Sequence, residues 1–89
     1  MKPILVVLAL AVSSVIACGD NAYYCLECGG DSDLNAEITQ RLANKLGLGT
    51  CMCWGSLITY ADLEGQDMEK VLQFIDGCRR MRCRGWRRC

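Results

Sequence analysis

The 89-residue sequence contains no histidine. That absence removes the commonest general base, every Ser-His or Cys-His nucleophile pair and the usual zinc ligand. Ten acids scattered along a short chain mark no carboxylate site, so an enzyme is not expected. A long apolar run is also missing. Pro3 to Val12 falls short of the about 20 residues that a membrane-spanning helix needs, and it gives way to Ser13-Ser14. No Asn-x-Ser/Thr triplet offers an N-glycosylation acceptor. From Cys78 to Cys89 there is no acidic residue.

What is abundant is cysteine. Eight stand at Cys18, Cys25, Cys28, Cys51, Cys53, Cys78, Cys83 and Cys89. Ahead of them, Met1-Lys2 gives a positive start, Pro3 to Val12 an apolar stretch and Ser13 to Ala17 a small-residue exit. Val15 and Ala17 occupy the two positions that a signal peptidase reads, so residues 1–17 are expected to be a signal peptide. Val15-Ile16-Ala17-Cys18 also imitates a bacterial lipoprotein box, but lipid on Cys18 would leave an odd number of thiols. An even cysteine count behind an export leader points to four disulfides and a secreted, extracellular protein. Residues 18–89 are expected to form a single cysteine-rich domain. A chain this short buries a core worth only about 3–5 kcal/mol net and needs staples. Four bridges at roughly 2–5 kcal/mol each supply them.

Two helices are legible. Asp31-Ser32-Asp33 offers a cap, with Glu37 in the opening turns, and Leu34, Ile38, Leu42 and Leu46 recur every four residues up to Gly47. This predicts a helix over about 33–46. Asp67 caps a second over about 67–80, with Met68, Val71, Leu72, Ile75 and Cys78 as its buried stripe and Phe74 beside it. Gly77 either ends that helix or is tolerated within it, the helix then running to about Met81. Between them, Cys51-x-Cys53 puts two sulfurs on one side of an extended strand, with a hairpin turn at Gly55-Ser56. Leu57 to Leu63 reads equally as a short helix. The expected fold is therefore small, disulfide-rich and mainly α: two amphipathic helices, a short extended C-x-C segment and four disulfides. Eight cysteines allow 105 pairings, and joining the Cys25/Cys28 pair to the Cys51/Cys53 pair is the simplest guess.

The charge is divided. From Cys18 to Gly77, Arg41, Lys45 and Lys70 stand against all ten acids, whereas Cys78 to Cys89 carries six arginines. An acidic body with a compact cationic tail can support electrostatic recognition. Guanidinium groups fork onto carboxylate, phosphate or sulfate and stack on indole. Arg79, Arg80, Arg82, Arg84, Trp86, Arg87 and Arg88 are thus the expected binding residues. A Cys83–Cys89 bond would present them as a small ring; other pairings would lay the tail along the body. Arg79-Arg80 and Arg87-Arg88 are also dibasic pairs of the kind at which prohormones are cut.

Other motifs weaken on inspection. Cys25, Cys28, Cys51 and Cys53 could supply four thiolates to zinc, but export favours their oxidation. Asp31-x-Asp33-x-Asn35 opens like a calcium loop, yet Ala36 and Leu42 stand where glycine and glutamate are required. No metal or cofactor is expected.

The Cys51-x-Cys53 element is similar to the strand of cysteine-stabilised αβ defensins and scorpion toxins, without the helical C-x-x-x-C of those families. The adjacent cysteine pairs of hydrophobins and plant lipid-transfer proteins are missing. As a class, the chain resembles secreted cysteine-rich peptides of animal venoms and innate defence. The resulting expectation is a toxin-like effector whose basic tail binds an extracellular receptor, channel or anionic membrane surface, and not nucleic acid. The alternatives are a host-defence peptide acting on anionic membranes and a signalling peptide or pheromone.

Overall fold

The computed structural model describes residues 16–30 and 32–89. The elements run β1 (Ala22–Leu26), α1 (Ser32–Lys45), β2 (Thr50–Met52), β3 (Thr59–Asp62), α2 (Met68–Arg80) and β4 (Gly85–Arg88). The expected leader lies outside the described residues except for Ile16 and Ala17. These run beside β2, where the Ile16 carbonyl accepts from the Met52 N–H at 2.8 Å.

Both helices form where periodicity placed them. Asp67 caps α2 by accepting from the Lys70 N–H at 3.0 Å. The Lys70 ammonium in turn donates to the Leu46 carbonyl at the end of α1 (3.3 Å), so one helix start closes the other helix end. The buried stripe of α2 is rotated from the expected one. Val71, Phe74 and Cys78 face inward, whereas Met68 and Leu72 are exposed. Gly77 does not end the helix. A Cβ there would stand 2.8 Å from a Leu42 methyl, so its lack of a side chain lets α2 approach α1.

A mainly α fold is not what forms. The four strands make one antiparallel sheet in the order β2-β3-β1-β4, giving an α+β architecture. The strands escape a period-two reading because Ala22 to Cys25 are buried on both sides and β2 is only three residues long. Leu57 to Leu63, read equally as a short helix, contains β3 and closes a hairpin on β2 through a turn at Trp54-Gly55, with Gly55 at φ 76°. Alternate residues of β1 feed two apolar clusters. Tyr23 and Cys25 join Phe74, Leu42, Leu63 and Val71, while Ala22 and Tyr24 join Cys51 and Tyr60. Thr39, fully buried, accepts from the Cys25 N–H at 2.9 Å and so satisfies a backbone donor of β1.

The bridges are Cys18–Cys51, Cys25–Cys78, Cys28–Cys83 and Cys53–Cys89. The facing-pairs guess is therefore wrong. Cys25 of β1 is bonded to Cys78 in the last turn of α2 and Cys28, just after β1, to Cys83 in the α2-to-β4 connection, whereas Cys51 and Cys53 go to the chain's outer segments. The first pair clamps β1 to α2. Cys53–Cys89 ties together the segments that follow the two edge strands.

Candidate functional site

The cationic tail begins where α2 stops, and the way it stops is unusual. The Arg82 N–H donates to the Arg79 carbonyl and the Cys83 N–H to the Cys78 carbonyl, both at 3.0 Å, with Arg82 at φ 69°. α1 ends on the same pair of bonds, Gly47 to Asn44 (3.2 Å) and Leu48 to Ala43 (2.8 Å), with Gly47 at φ 73°. This helix stop places one residue in the left-handed region, which glycine enters without a steric cost. An arginine there costs about 1 kcal/mol. One protein thus terminates two helices identically and seats glycine in one and arginine in the other.

Glu27, at φ 54°, is the other non-glycine residue with positive φ among the described residues. Glu27 and Arg82 sit directly beside the two ends of the Cys28–Cys83 bridge. Together with Gly29, Gly30 and Arg84 they line an open pocket of about 500 Å³. Among the described residues the ion pairs are Arg41–Glu37 and Arg80–Asp76, so Glu27 closes onto neither arginine of the pocket. Charged residues held in a costly backbone conformation around a cavity are a common mark of a binding site.

The remaining expected residues are spread over other surfaces. Arg79 and Arg80 occupy the last turn of α2, with Arg80 on Asp76. β4 lies along β1 in the register Tyr23–Arg88, Tyr24–Arg87 and Cys25–Trp86. Trp86 packs on Tyr23 at 5.1 Å between ring centres. Arg87 belongs to the opposite side, its guanidinium 5.7 Å from the Tyr24 ring centre and its Nε–H donating to the Tyr60 hydroxyl at 3.1 Å. Arg87 therefore supports the fold, whereas Arg82 and Arg84 share the pocket and Arg88 is exposed on the edge strand. The tail lies along the body; the Cys83–Cys89 ring does not form. A cut after Arg80 would release no peptide, because Cys83 and Cys89 remain bonded to Cys28 and Cys53.

Burial raises the Tyr24 hydroxyl above its ordinary value of 10.0, Arg87 opposes the rise, and Tyr60 and Asp33 add to it. A folded-state value above the unfolded one means that this contribution to stability is complete below pH 10.0 and is lost as pH rises through the folded value. A spectrophotometric titration is expected to show a step later than that of free tyrosine, and Tyr24→Phe to remove it.

The sulfurs of Cys25, Cys28 and Cys83 converge within 4.8 Å, a set different from the one that spacing suggested for zinc. All are in disulfides, so none is a thiolate donor. Sequence reasoning missed Glu27, Gly29 and Gly30 as pocket residues. The Gly29-Gly30 pair registered only as a chain break, and nothing local joins it to residues more than fifty positions away. No known protein-family model, no curated protein and no solved structure matches this chain.

Proposed function

We propose that the protein is a secreted, disulfide-stapled effector that binds an acidic site on an extracellular or membrane receptor or channel. Arg82 and Arg84 lead the contact. Four disulfides in a chain this small fit an oxidising, extracellular setting. Among the described residues no helix is long and apolar enough to cross a membrane. The observation that carries the reading is Arg82 in the seat that glycine fills at the end of α1. A side chain kept at a cost to stability is one that has a use elsewhere. The charge division supports this, because among the described residues Arg80 is ion-paired within its own helix, to Asp76, whereas Arg82 and Arg84 are exposed at the pocket.

Arg82→Gly separates the two roles of that position. It is expected to stabilise the fold by about 1 kcal/mol, read as a higher denaturation midpoint, while weakening target binding. Arg82→Gln with Arg84→Gln keeps the backbone demand and removes both charges. Saturable binding of the labelled, fully oxidised protein to intact target cells is expected to fall at least about tenfold, with the four bridges and the amide spectrum unchanged. Full binding by the double glutamine variant would contradict the assignment.

A further inference from the structure

The hairpin of β2 and β3 carries an unusual tip. From Thr50 to Ala61 there is no charged residue. Trp54 is 90 % exposed and Leu57 92 % exposed, in a protein whose core is otherwise closed around aromatic and aliphatic side chains. Neither serves the fold. The Trp54-Gly55 turn is set by the Ser56 N–H donating to the Cys53 carbonyl (3.0 Å), and the Ile58 N–H is satisfied by the Ser56 hydroxyl (3.0 Å). The backbone is therefore supported while the two largest side chains of the tip project into water.

The surroundings of the tip say what covers it. Cys53 is bonded to Cys89, with their Cα atoms 5.5 Å apart, so Trp54 and exposed Arg88 each stand one residue from a common bridge. Asp62, the last residue of β3, and Glu64 and Asp67 beyond it lie at and past the end of β3 far from the tip, whereas Arg88, paired with Tyr23 in the row of Ala61, is joined to the tip through the bridge. A convex, uncharged, Trp-bearing tip with a cation at its base suits one medium well. Indole prefers the boundary between headgroups and acyl chains, a leucine is buried below it, and an arginine at headgroup level meets anionic lipid.

We propose that the Trp54–Leu57 tip inserts into the interface of an anionic bilayer, with Arg88 at the headgroups. This goes beyond the receptor reading and uses none of its pocket residues. The bridge holds apolar tip and cation in one rigid unit, which removes the ordering cost that a flexible loop would carry.

The test uses the full oxidised protein with phosphatidylcholine vesicles, with and without phosphatidylglycerol. Partitioning is expected only with the anionic lipid and to weaken as salt is raised. Leu57→Asp is expected to reduce it more than about tenfold, and Arg88→Gln about fivefold. In a Trp86→Phe background, lipids brominated in their acyl chains are expected to quench the remaining Trp54. In a Trp54→Phe background they are expected to leave Trp86 unquenched. The substituted residues at the tip are solvent-exposed, and retention of the four bridges by mass confirms the fold of each variant. Absence of partitioning, or partitioning untouched by Leu57→Asp, overturns the proposal. So does a concentration-dependent dimer that Leu57→Asp abolishes without any vesicle binding, because the tip would then pair with a second copy. Full cell binding by the Arg82/Arg84 variant would overturn the receptor reading alone, and intact vesicle binding by the same variant would leave this site standing.

Discussion

Replacing Cys25 and Cys78 together by alanine is expected to cost about 4 kcal/mol, from the loop-closure entropy of a bridge spanning 53 positions. Both residues are fully buried, and the bridge joins the central strand β1 to the helix that leads to the site. A domain of this size holds roughly 5 kcal/mol in total, so about 1 kcal/mol is expected to remain and the variant to be marginally stable, with a substantial unfolded fraction. Its denaturation midpoint should collapse toward zero denaturant. Cys53→Ala with Cys89→Ala opens a span of 36 positions, whose loop-closure contribution is only about 0.3 kcal/mol smaller. It leaves no buried cavity, because Cys53 is half-buried and Cys89 exposed, so it is expected to cost less than the Cys25/Cys78 pair by the cavity that the buried pair leaves. Equal losses from the two pairs would mean that burial of Cys25 and Cys78 adds nothing to the loop-closure contribution.

Phe74→Ala is expected to cost about 3–5 kcal/mol. Phe74 is the largest of the fully buried side chains, faces Tyr23 with ring centres 6.4 Å apart, and sits in the cluster that unites β1, both helices and Leu63. Phe74→Leu, which keeps most of the volume, is expected to cost less than about 1.5 kcal/mol. Urea titrations check both, with the midpoint moving and the slope unchanged. Leu72→Ala provides the contrast. Sequence periodicity put Leu72 in the buried stripe, but it is more than half exposed, so its loss should fall within about 0.5 kcal/mol.

That contrast marks what the sequence could convey. Asp67, the apolar fours of α1 and the halt at Gly47 are local signals, and each is realised within a residue or two. The phase of α2 was not local. Of the expected stripe, Val71 and Cys78 are buried and Ile75 packs on the core, but Met68 and Leu72, which fit helical spacing equally well, are exposed and the flanking Phe74 is buried, a rotation that only the position of β1 and α1 decides. The sheet was harder still. β1 is hidden on both faces, and β4 is an arginine-rich tail that becomes a strand because Cys28–Cys83 and Cys53–Cys89 hold it against β1.

The site was legible in part. Charge asymmetry pointed to the tail arginines, but not to the division of labour among them. Arg87 lies over Tyr24 and bonds to Tyr60, whereas Arg82 takes a backbone conformation that normally asks for glycine and carries no sequence signal of doing so. Gly77 is the reverse case. Its sequence cue suggested a helix end, and its actual use is the close approach of Leu42.

The sheet, the pocket and the hairpin tip all depend on which sulfur holds which segment. Proteolytic mapping of the native, unreduced protein tests it most directly, together with its intact mass. The expected result is a chain eight hydrogens lighter than its reduced form, with cross-linked peptides joining Cys18 to Cys51, Cys25 to Cys78, Cys28 to Cys83 and Cys53 to Cys89. Free thiols, or a peptide joining Cys25 to Cys51 or Cys83 to Cys89, would contradict it.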